Sequence, residues 1–307
     1  MQKIYQTTLS NPLTFEGVGL HSGTKSIVKV NPGIEDSGII FKRVDLSENN
    51  LIEANYKNVT SAKLCTTLEN KHGVKVSTVE HLLAALYIAE IDNAVIEIDN
   101  KEVPIMDGSA KIFLDKLSTI KTKTLTKKRK YIKILDKVEL KEEHKKISIE
   151  PNNTFEVDFE LNYKNQIIGN QKSTINFQKD NTNVVSESRT FCLYEDIEKI
   201  KQAGLAKGGS LQNAIVVDND RVINEGGLRN KNEFVNHKIL DLAGDFLLSG
   251  FRILGKVKCH QGGHEFTNKF LRKLLSSNTC YKYELSEDFK ISQELNISKP
   301  LKLAASA

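Results

Sequence analysis

The chain has 307 residues, of which 39% are hydrophobic and 27% charged, and its formal net charge is +5. This length suits one large domain or two medium ones, and the composition is that of an ordinary folded protein. No run approaches 18 apolar residues, and the N-terminus lacks a charged segment followed by an apolar core, so neither stable membrane insertion nor secretion is predicted. We expect a cytoplasmic protein whose four dispersed cysteines are reduced and form neither a zinc finger nor a redox pair.

Positive charge is concentrated in one place, the run KTKTLTKKRK at residues 121–130. We interpret this run as a solvated linker between two domains, because the remaining charge is spread widely and no nucleic-acid footprint is apparent. The modest basic excess still suits an anionic small molecule such as a nucleotide or a phosphate ester. No nucleic-acid partner is therefore predicted.

Two segments of the chain share one order of predicted elements. Residues 14–32 and 132–151 each give a strand, a turn, an alternating strand and a closing proline. Later in each half a helix leads into a β-branched strand, at 94–98 and near 253–259. The repeat indicates an α+β fold built from a duplicated unit, with two similar two-layer α/β sandwich domains and the active site at their interface. The predicted limits are 1–126 for the first domain, 127–298 for the second and 299–307 for a tail.

The first predicted helix follows the string STVEHLLAAL at residues 77–86. Ser77 and Glu80 have the spacing of a capping box, which gives Glu80 a purely structural interpretation. His81 comes next, so a Glu–His pair begins an otherwise apolar helix. A single histidine in such a place is more often a structural residue than a ligand.

The second predicted helix includes the string NHKILDLAGDF at residues 236–246. His237, Asp241 and Asp245 recur every four residues and therefore lie along one face. This pattern indicates either a solvated face with a His–Asp contact or a metal or acid–base site. Together with His81, the first two offer two imidazoles and a carboxylate, which leave a fourth position open for water as in catalytic zinc sites.

Other residues have the chemistry that a hydrolytic metal site needs. Glu80 is adjacent to a candidate ligand and is placed to take a proton from the attacking water. His264 follows two glycines and suits protonation of a departing amine near neutral pH, although an exposed histidine in a simple turn is the alternative. Asp245 could orient that imidazole and favour its protonated form. Lys238 is a candidate for oxyanion stabilisation unless it only faces solvent.

Seven strings resemble, in order and spacing, the LpxC family of UDP-3-O-acyl-N-acetylglucosamine deacetylases. They are GVGLHSG (17–23), STVEHLLAAL (77–86), VPIMDGSA (103–110), SRTF (188–191), LAKGGSLQNAIVV (205–217), NEGGLRNKNEFVNHKILDLAGDFLLSG (224–250) and GGHEFTNK (262–269). The resemblance covers nearly the whole chain. It implies two similar α+β sandwiches facing each other across a site with one Zn²⁺ per chain. It also implies hydrolysis of the N-acetyl group of UDP-3-O-acyl-N-acetylglucosamine, the committed step of lipid A biosynthesis in Gram-negative bacteria.

The resemblance also implies roles for individual residues. The zinc ligands would be His81, His237 and Asp241. The catalytic residues would be Glu80 as general base, His264 as general acid, Asp245 as its support, Thr190 at the oxyanion and Lys238 at polar groups of the substrate. The substrate-binding residues would be His21, Leu64, Cys65, Lys145, Tyr163, Phe191, Tyr194, Ile197, Gly209, Leu211 and Val216. Within this set Lys145 and Tyr163 match the UDP end, with the tyrosine ring offering a stacking face. Phe191, Tyr194, Ile197, Leu211 and Val216 match the lining of an acyl-chain passage, although Ile197 and Ile200 could instead be plain core.

One departure from the family pattern concerns the diphosphate. Gln261 stands where family members often carry a basic residue, so Lys258 or His260 would have to replace it. A zinc amidohydrolase of the same fold that acts on another N-acylated substrate is therefore an alternative. A non-catalytic binding module is disfavoured, because a structural zinc normally has four protein ligands. A monomer is expected.

Overall fold

The computed structural model describes residues 3–277 and 279–286. The predicted tail at 299–307 and the last residues of the predicted second domain lie outside the described residues. Six α-helices are described: α1 (Glu80–Ile88), α2 (Lys111–Ser118), α3 (Asn183–Ser186), α4 (Tyr194–Gln202), α5 (Glu233–Leu247) and α6 (His264–Ser276). None of these helices is both long and apolar enough to cross a bilayer.

Twenty strands accompany these helices in the described part of the chain. They are β1 (Tyr5–Leu9), β2 (Leu13–Val18), β3 (Lys25–Pro32), β4 (Ile39–Arg43), β5 (Leu51–Glu53), β6 (Val59–Ser61), β7 (Thr67–Glu69), β8 (Lys75–Ser77), β9 (Ala94–Ile98), β10 (Thr122–Lys128), β11 (Lys130–Ile134), β12 (Val138–Glu142), β13 (Lys145–Glu150), β14 (Phe155–Asn162), β15 (Asn170–Asn176), β16 (Phe191–Leu193), β17 (Ile215–Asp218), β18 (Arg221–Val222), β19 (Arg252–His260) and β20 (Tyr281–Leu285).

The main sheet of the first half has five strands, and its topology recurs in five of the seven strands of the second half's main sheet. The order is β2-β3-β9-β4-β5 in the first and β12-β13-β19-β14-β15 in the second, where β11 also pairs with β19 and β20 pairs with β11. In each, the strand after the long helix pairs antiparallel with the second strand and parallel with the third. The long helix, α1 or α5, comes just before that strand, and α2 or α6 follows it. The predicted α+β fold with a duplicated unit is thus confirmed, including the strands expected at 94–98 and near 253–259.

Sheets and helices share one apolar core because each strand buries alternate side chains. In β3, for example, Ser26, Val28 and Val30 are buried while the residues between them are exposed. Helix α1 is buried from Glu80 to Tyr87, and it packs closely against α5. Such complete burial makes the polar residues of α1 and α5 costly unless they are paired.

The prediction of a solvated linker at residues 121–130 is wrong. Most of this run forms β10, which pairs antiparallel with β1 in a two-stranded sheet. Its lysine side chains stay largely exposed while its backbone groups form the hydrogen bonds to β1. A strand in which lysines alternate with threonines therefore has the charge content that we interpreted as a linker. The predicted domain boundary at 126/127 lies inside this strand and remains a prediction.

Helices α1 and α5 cross in close contact at a glycine. A Cβ atom added at Gly244 would overlap the backbone carbonyl of Glu80. Only glycine therefore lets the two backbones approach so closely, and this contact fixes the distance between the polar side chains that each helix carries.

We expect Gly244→Ala to destabilise the protein by about 1–3 kcal/mol, the usual cost of overpacking a core, or more because the obstacle is backbone. The midpoint of denaturant unfolding measures this loss. Gly263→Ala is the matched control, since nothing lies within 4 Å of a Cβ added there. Equal unfolding midpoints for the two variants would contradict the close-contact account.

Candidate active site

Three buried side chains from the two crossing helices form a compact cluster. His81 Nε2 lies 3.4 Å from Asp241 Oδ1, and His237 Nε2 lies 3.3 Å from the same oxygen. The two imidazole rings are 5.0 Å apart between centroids. His237, Asp241 and Asp245 are all at most 5% exposed, so the alternative of a solvated helix face is wrong. Among the residues of α5, Lys238 alone is not buried.

This cluster has the properties of a cation site. One potential ligand atom from each of His81, His237 and Asp241 lies within 4.8 Å of the others. Within the described part of the chain, Asp241 Oδ1 is buried without a hydrogen-bond partner, a costly arrangement that a bound cation would relieve. Burial lowers the pKa of His237 to about 3, so its imidazole is neutral as a metal ligand must be. Burial disfavours the Asp241 carboxylate, but His237 and Lys238 hold its pKa well below the usual range.

A second group of polar residues lies beside the cluster. His264 Nδ1 lies 2.8 Å from Asp245 Oδ2, and its Nε2 lies 3.8 Å from both Glu80 Oε1 and Asp241 Oδ2. Thr66 joins the two carboxylates: its N–H donates to Glu80 Oε2 at 3.0 Å, and its hydroxyl donates to Asp245 Oδ1 at 2.7 Å. Because His264 is 8% exposed at the start of α6, the alternative of an exposed histidine in a turn is wrong.

The protonation states of this group suit acid–base chemistry. Burial raises the pKa of Glu80, although His264 and His81 act in the opposite direction. Burial also opposes protonation of His264, but Asp245, Glu80 and Asp241 together raise its pKa to about 10. The imidazole is therefore protonated at neutral pH beside a carboxylate whose pKa is closer to neutrality than usual, which provides one donor and one acceptor.

The capping-box interpretation of Glu80 is wrong. Ser77 ends β8, and its hydroxyl donates to the backbone carbonyl of Lys101. Helix α1 begins after Val79 without a side-chain cap, because Thr78 has a positive φ of 57° and separates strand from helix. The Glu80 carboxylate accepts from Thr66 instead, so a structural role at the helix end does not account for it.

Lys238 and two aromatic residues border the cluster on one side. Lys238 Nζ lies 2.8 Å from Asp241 Oδ2 and 5.5 Å from the ring centre of Phe191. The Phe191 ring in turn contacts Tyr163, with 5.9 Å between centroids. Lys238 is 21% exposed along its side chain, so it does not simply face solvent.

His21 approaches the site from a turn of the first half. The Glu102 carboxylate accepts from the backbone N–H groups of His21 and Ser22, and from the Thr78 hydroxyl. His21 Nδ1 accepts from the Ala206 N–H, and burial lowers the pKa of the ring. The imidazole is close enough to His264 for the two charges to interact. The structure thus places His21 near His264.

Of the remaining residues predicted near the reacting end, Cys65 lies beside Glu80, whereas neither Leu64 nor Thr190 forms a side-chain hydrogen bond or ion pair with the cluster in the described part of the chain. Leu64 is exposed, and Cys65 is half-buried beside Glu80. Burial and the Glu80 charge raise the pKa of the Cys65 thiol to about 12, so it is not a thiolate at neutral pH. Thr190 is anchored through its backbone, donating to Gly108 and accepting from Ile215. Its proposed role at the oxyanion remains a prediction.

The predicted acyl-passage residues belong to a small separate unit. Strands β16, β17 and β18 form a three-stranded sheet next to α4. No residue of α4 is fully buried, so the alternative of Ile197 and Ile200 as plain core is wrong. The residues differ in exposure: Val216 is buried, Phe191 and Ile197 are half-buried, and Tyr194, Gly209 and Leu211 are exposed.

The residues expected at the UDP end, Lys145 and Tyr163, have different neighbours. Lys145, at the start of β13, lines a cavity of about 560 Å³ with Glu265 and Phe266, which directly follow His264. Tyr163 instead lies beside Phe191. Gln261 exchanges two hydrogen bonds with the backbone of Asn162 and so holds the end of β14.

Thr66, Glu233 and Glu102 were not found from the sequence. Thr66 lies between two short strands, and nothing in the string KLCTT distinguishes it from its neighbours. Glu233 and Glu102 act on partners 44 and 81 residues away in the chain. Contacts between residues so far apart in the sequence leave no local sequence pattern from which they could be inferred.

We expect Thr66→Val to lower kcat about 10-fold to 100-fold, because a hydrogen bond to a charged group is worth about 1.5–3 kcal/mol. Valine keeps the N–H that binds Glu80 but removes the hydroxyl that orients Asp245. Steady-state kinetics measure the effect, and Thr66→Ser, which keeps the hydroxyl, should remain near the original rate. Identical kcat values for the two variants would exclude the orienting role.

The similarity of this chain to known proteins covers every residue of the candidate site. The family profile described as UDP-3-O-acyl N-acetylglycosamine deacetylase, LpxC, matches residues 6–276. A UDP-3-O-acyl-N-acetylglucosamine deacetylase of Geotalea uraniireducens strain Rf4 is 40% identical over 278 residues, which is 90% of each chain. The chain belongs to the LpxC family. A second relative of the same name, from Legionella pneumophila strain Corby, is also 40% identical, over 91% of this chain and 93% of its own.

Membership of this family agrees with the chemistry of the cluster. The match includes both crossing helices and all of α6, so each residue of the cluster and of the neighbouring acid–base group lies within it. The family is one of deacetylase enzymes, and the resemblance inferred from the seven strings is confirmed.

Proposed function

We propose that the protein is a zinc-dependent deacetylase that hydrolyses the N-acetyl group of UDP-3-O-acyl-N-acetylglucosamine, the committed step of lipid A biosynthesis. The observation that carries this proposal is the buried cluster of His81, His237 and Asp241, with an unpartnered Asp241 oxygen and an acid–base pair beside it. Both compared relatives carry the name of this activity.

The three cluster residues would hold one Zn²⁺ per chain. Two neutral imidazoles and one carboxylate are a donor set that zinc accepts, and three protein ligands leave room for water or substrate. When bound, zinc polarises the amide carbonyl and lowers the pKa of a coordinated water towards neutrality. No other metal-binding group of histidine, cysteine and carboxylate side chains occurs among residues 3–277 and 279–286.

The protein residues would divide the proton transfers between them. Glu80 takes the proton from the attacking water as the new C–O bond forms. His264, kept protonated by Asp245, gives its proton to the nitrogen as the C–N bond breaks, so the sugar amine is the leaving group and acetate is the other product. Lys238 and Thr190 would stabilise the negative charge on the carbonyl oxygen. The carboxylate thus acts as the base towards the attacking water, and the imidazole acts as the acid towards the departing nitrogen.

The remaining predicted residues would bind the rest of the substrate. His21, Leu64 and Cys65 would lie around the reacting end, and Lys145 and Tyr163 would contact the UDP moiety. The acyl chain would follow the small unit of α4 and its sheet, along the half-buried Phe191 and Ile197. Its further lining would be Tyr194, Leu211 and Val216, and Gly209 would be a further substrate-binding residue. A monomer would suffice for this arrangement, because every proposed group comes from one chain.

One observation favours a second candidate, a zinc amidohydrolase that acts on another N-acylated substrate. The groups that could hold a diphosphate are already engaged: Gln261 binds Asn162, and Lys258 Nζ lies 2.7 Å from Glu150. The cavity beside Lys145 is also lined by three glutamates but only two lysines. Such a lining attracts a diphosphate less strongly than a basic one.

Substrate comparison tests the two candidates. Purified protein is offered UDP-3-O-acyl-N-acetylglucosamine, the same sugar nucleotide without its 3-O-acyl chain, and the acylated sugar without UDP. The proposal predicts that removing either group lowers kcat/KM by at least tenfold, since each would contribute binding energy to the transition state. Equal kcat/KM for all three compounds would favour the second candidate.

A further inference from the structure

Glu233 and His237 hold the two sides of a single peptide group. They are four residues apart in α5 and therefore lie on the same helix face. The carbonyl of Ser188 lies 3.0 Å from His237 Nδ1, and the N–H of the next residue, Arg189, donates to Glu233 Oε1 at 3.1 Å. The C=O and N–H concerned belong to one planar peptide, so fixing one end fixes the other.

Glu233 is unusually well fixed itself. It is completely buried at the beginning of α5, and its carboxylate accepts four hydrogen bonds. Three come from Arg189, through the backbone N–H, Nε and Nη2, and one comes from the backbone N–H of Arg229. A paired, buried carboxylate of this kind is costly to assemble and rigid once formed. Its partners therefore have little freedom to rotate.

The Ser188 carbonyl, 3.0 Å from Nδ1, competes with the Asp241 carboxylate, 3.3 Å from Nε2, for the ring hydrogen of His237, so the orientation of the shared peptide biases the tautomer. A carbonyl facing Nδ1 accepts only a hydrogen bond, so it favours the tautomer with hydrogen on Nδ1 and leaves the lone pair on Nε2. It is Nε2 that faces Asp241 and the cation position. The acceptance of a hydrogen bond by Glu233 also polarises the peptide and strengthens its carbonyl as an acceptor.

From this geometry we infer that Glu233, acting through the Ser188–Arg189 peptide, is a positioning residue that sets the tautomer and orientation of His237 for metal binding. The inference deepens the proposed zinc-dependent function and rests on it. Glu233 touches neither substrate nor metal in this account. Its effect appears in metal affinity and in the tautomer of one imidazole, which a merely structural ion pair would leave unchanged.

The test compares the wild-type protein with Glu233→Gln and with a control, Asp45→Asn. Asp45 also pairs with a buried arginine, Arg43, whose other side-chain hydrogen bond goes to the Lys75 carbonyl. Zinc affinity is measured by competition with a chelator. The tautomer of His237 is read from the ¹⁵N chemical shifts of its ring in metal-free protein. Thermal unfolding confirms that each variant is folded.

We expect Glu233→Gln to bind zinc about 10-fold to 100-fold more weakly, with His237 distributed between both tautomers, while Asp45→Asn matches the wild type in both respects. Unchanged zinc affinity and an unchanged tautomer in folded Glu233→Gln would overturn the inference. If this variant does not fold, the wild type decides, because hydrogen on Nε2 of His237 in metal-free protein would overturn it too. Failure of the wild type to bind zinc would instead overturn the proposed function itself, and the tautomer measurement needs no metal.

Discussion

Glu80→Gln is expected to lower kcat about 10²-fold to 10⁴-fold, the usual contribution of a general base. Glutamine has nearly the same shape, and its carbonyl oxygen can still accept from the Thr66 N–H. It cannot, however, take a proton from water. Because Glu80 is not one of the three cluster residues, zinc content should stay at the wild-type level. Steady-state kinetics together with metal analysis of the same preparation measure both quantities.

Glu97→Gln is the control for this change. Glu97 is a partly exposed glutamate of β9 that pairs with Lys42, and its replacement should leave turnover unchanged. A folded, zinc-containing Glu80→Gln protein with full activity would remove Glu80 from the mechanism. Loss of folding in this variant would instead return Glu80 to a structural role.

His264→Gln is expected to have an effect of similar size, about 10²-fold to 10⁴-fold on kcat. The raised pKa of about 10 means that the wild-type imidazole is protonated, and able to donate, at neutral pH. An acid loses its function when it loses its proton, so wild-type kcat should fall as the pH rises through the pKa of His264. Glutamine does not titrate, and this alkaline decline should be absent from the residual activity.

The pH dependence of kcat, measured from neutral pH into the alkaline range, distinguishes this role from a structural one. Asp245→Asn tests this role further, because it should change the pH at which kcat declines. Asp245 is the charged group that contributes most to raising the pKa of His264, so its neutral replacement should shift the alkaline decline to lower pH. A decline at the same pH in wild type and in Asp245→Asn would mean that a different group is titrating.

The sequence placed the α5 residues of the cluster on one helix face because that part of the geometry is local to one helix. Spacing of four residues in α5 places His237, Asp241 and Asp245 on one face, and the structure has them there. What spacing could not predict is that the face is buried against α1. The contact depends on Gly244, whose small size allows the helices to meet at Glu80. In the sequence this glycine resembles any other helical glycine.

Residues 121–130 and the start of α1 differ from their predicted structures for separate physical reasons. Charge was taken as a sign of a linker at residues 121–130, whereas β10 needs only its backbone groups to pair with β1. The spacing of Ser77 and Glu80 was taken as a capping box, but the positive φ of Thr78 places the two in different elements. Local sequence patterns indicate only which structure a segment prefers on its own. In both cases a contact with a distant part of the chain determined the structure.

We propose that one zinc ion in the buried cluster is required for deacetylation. The most direct test is deacetylation of UDP-3-O-acyl-N-acetylglucosamine by purified protein, with metal analysis, before chelation, after chelation and after zinc is restored. The account predicts turnover that disappears with the metal and returns as about one zinc per chain is bound. Turnover that persists in fully metal-free protein would contradict it.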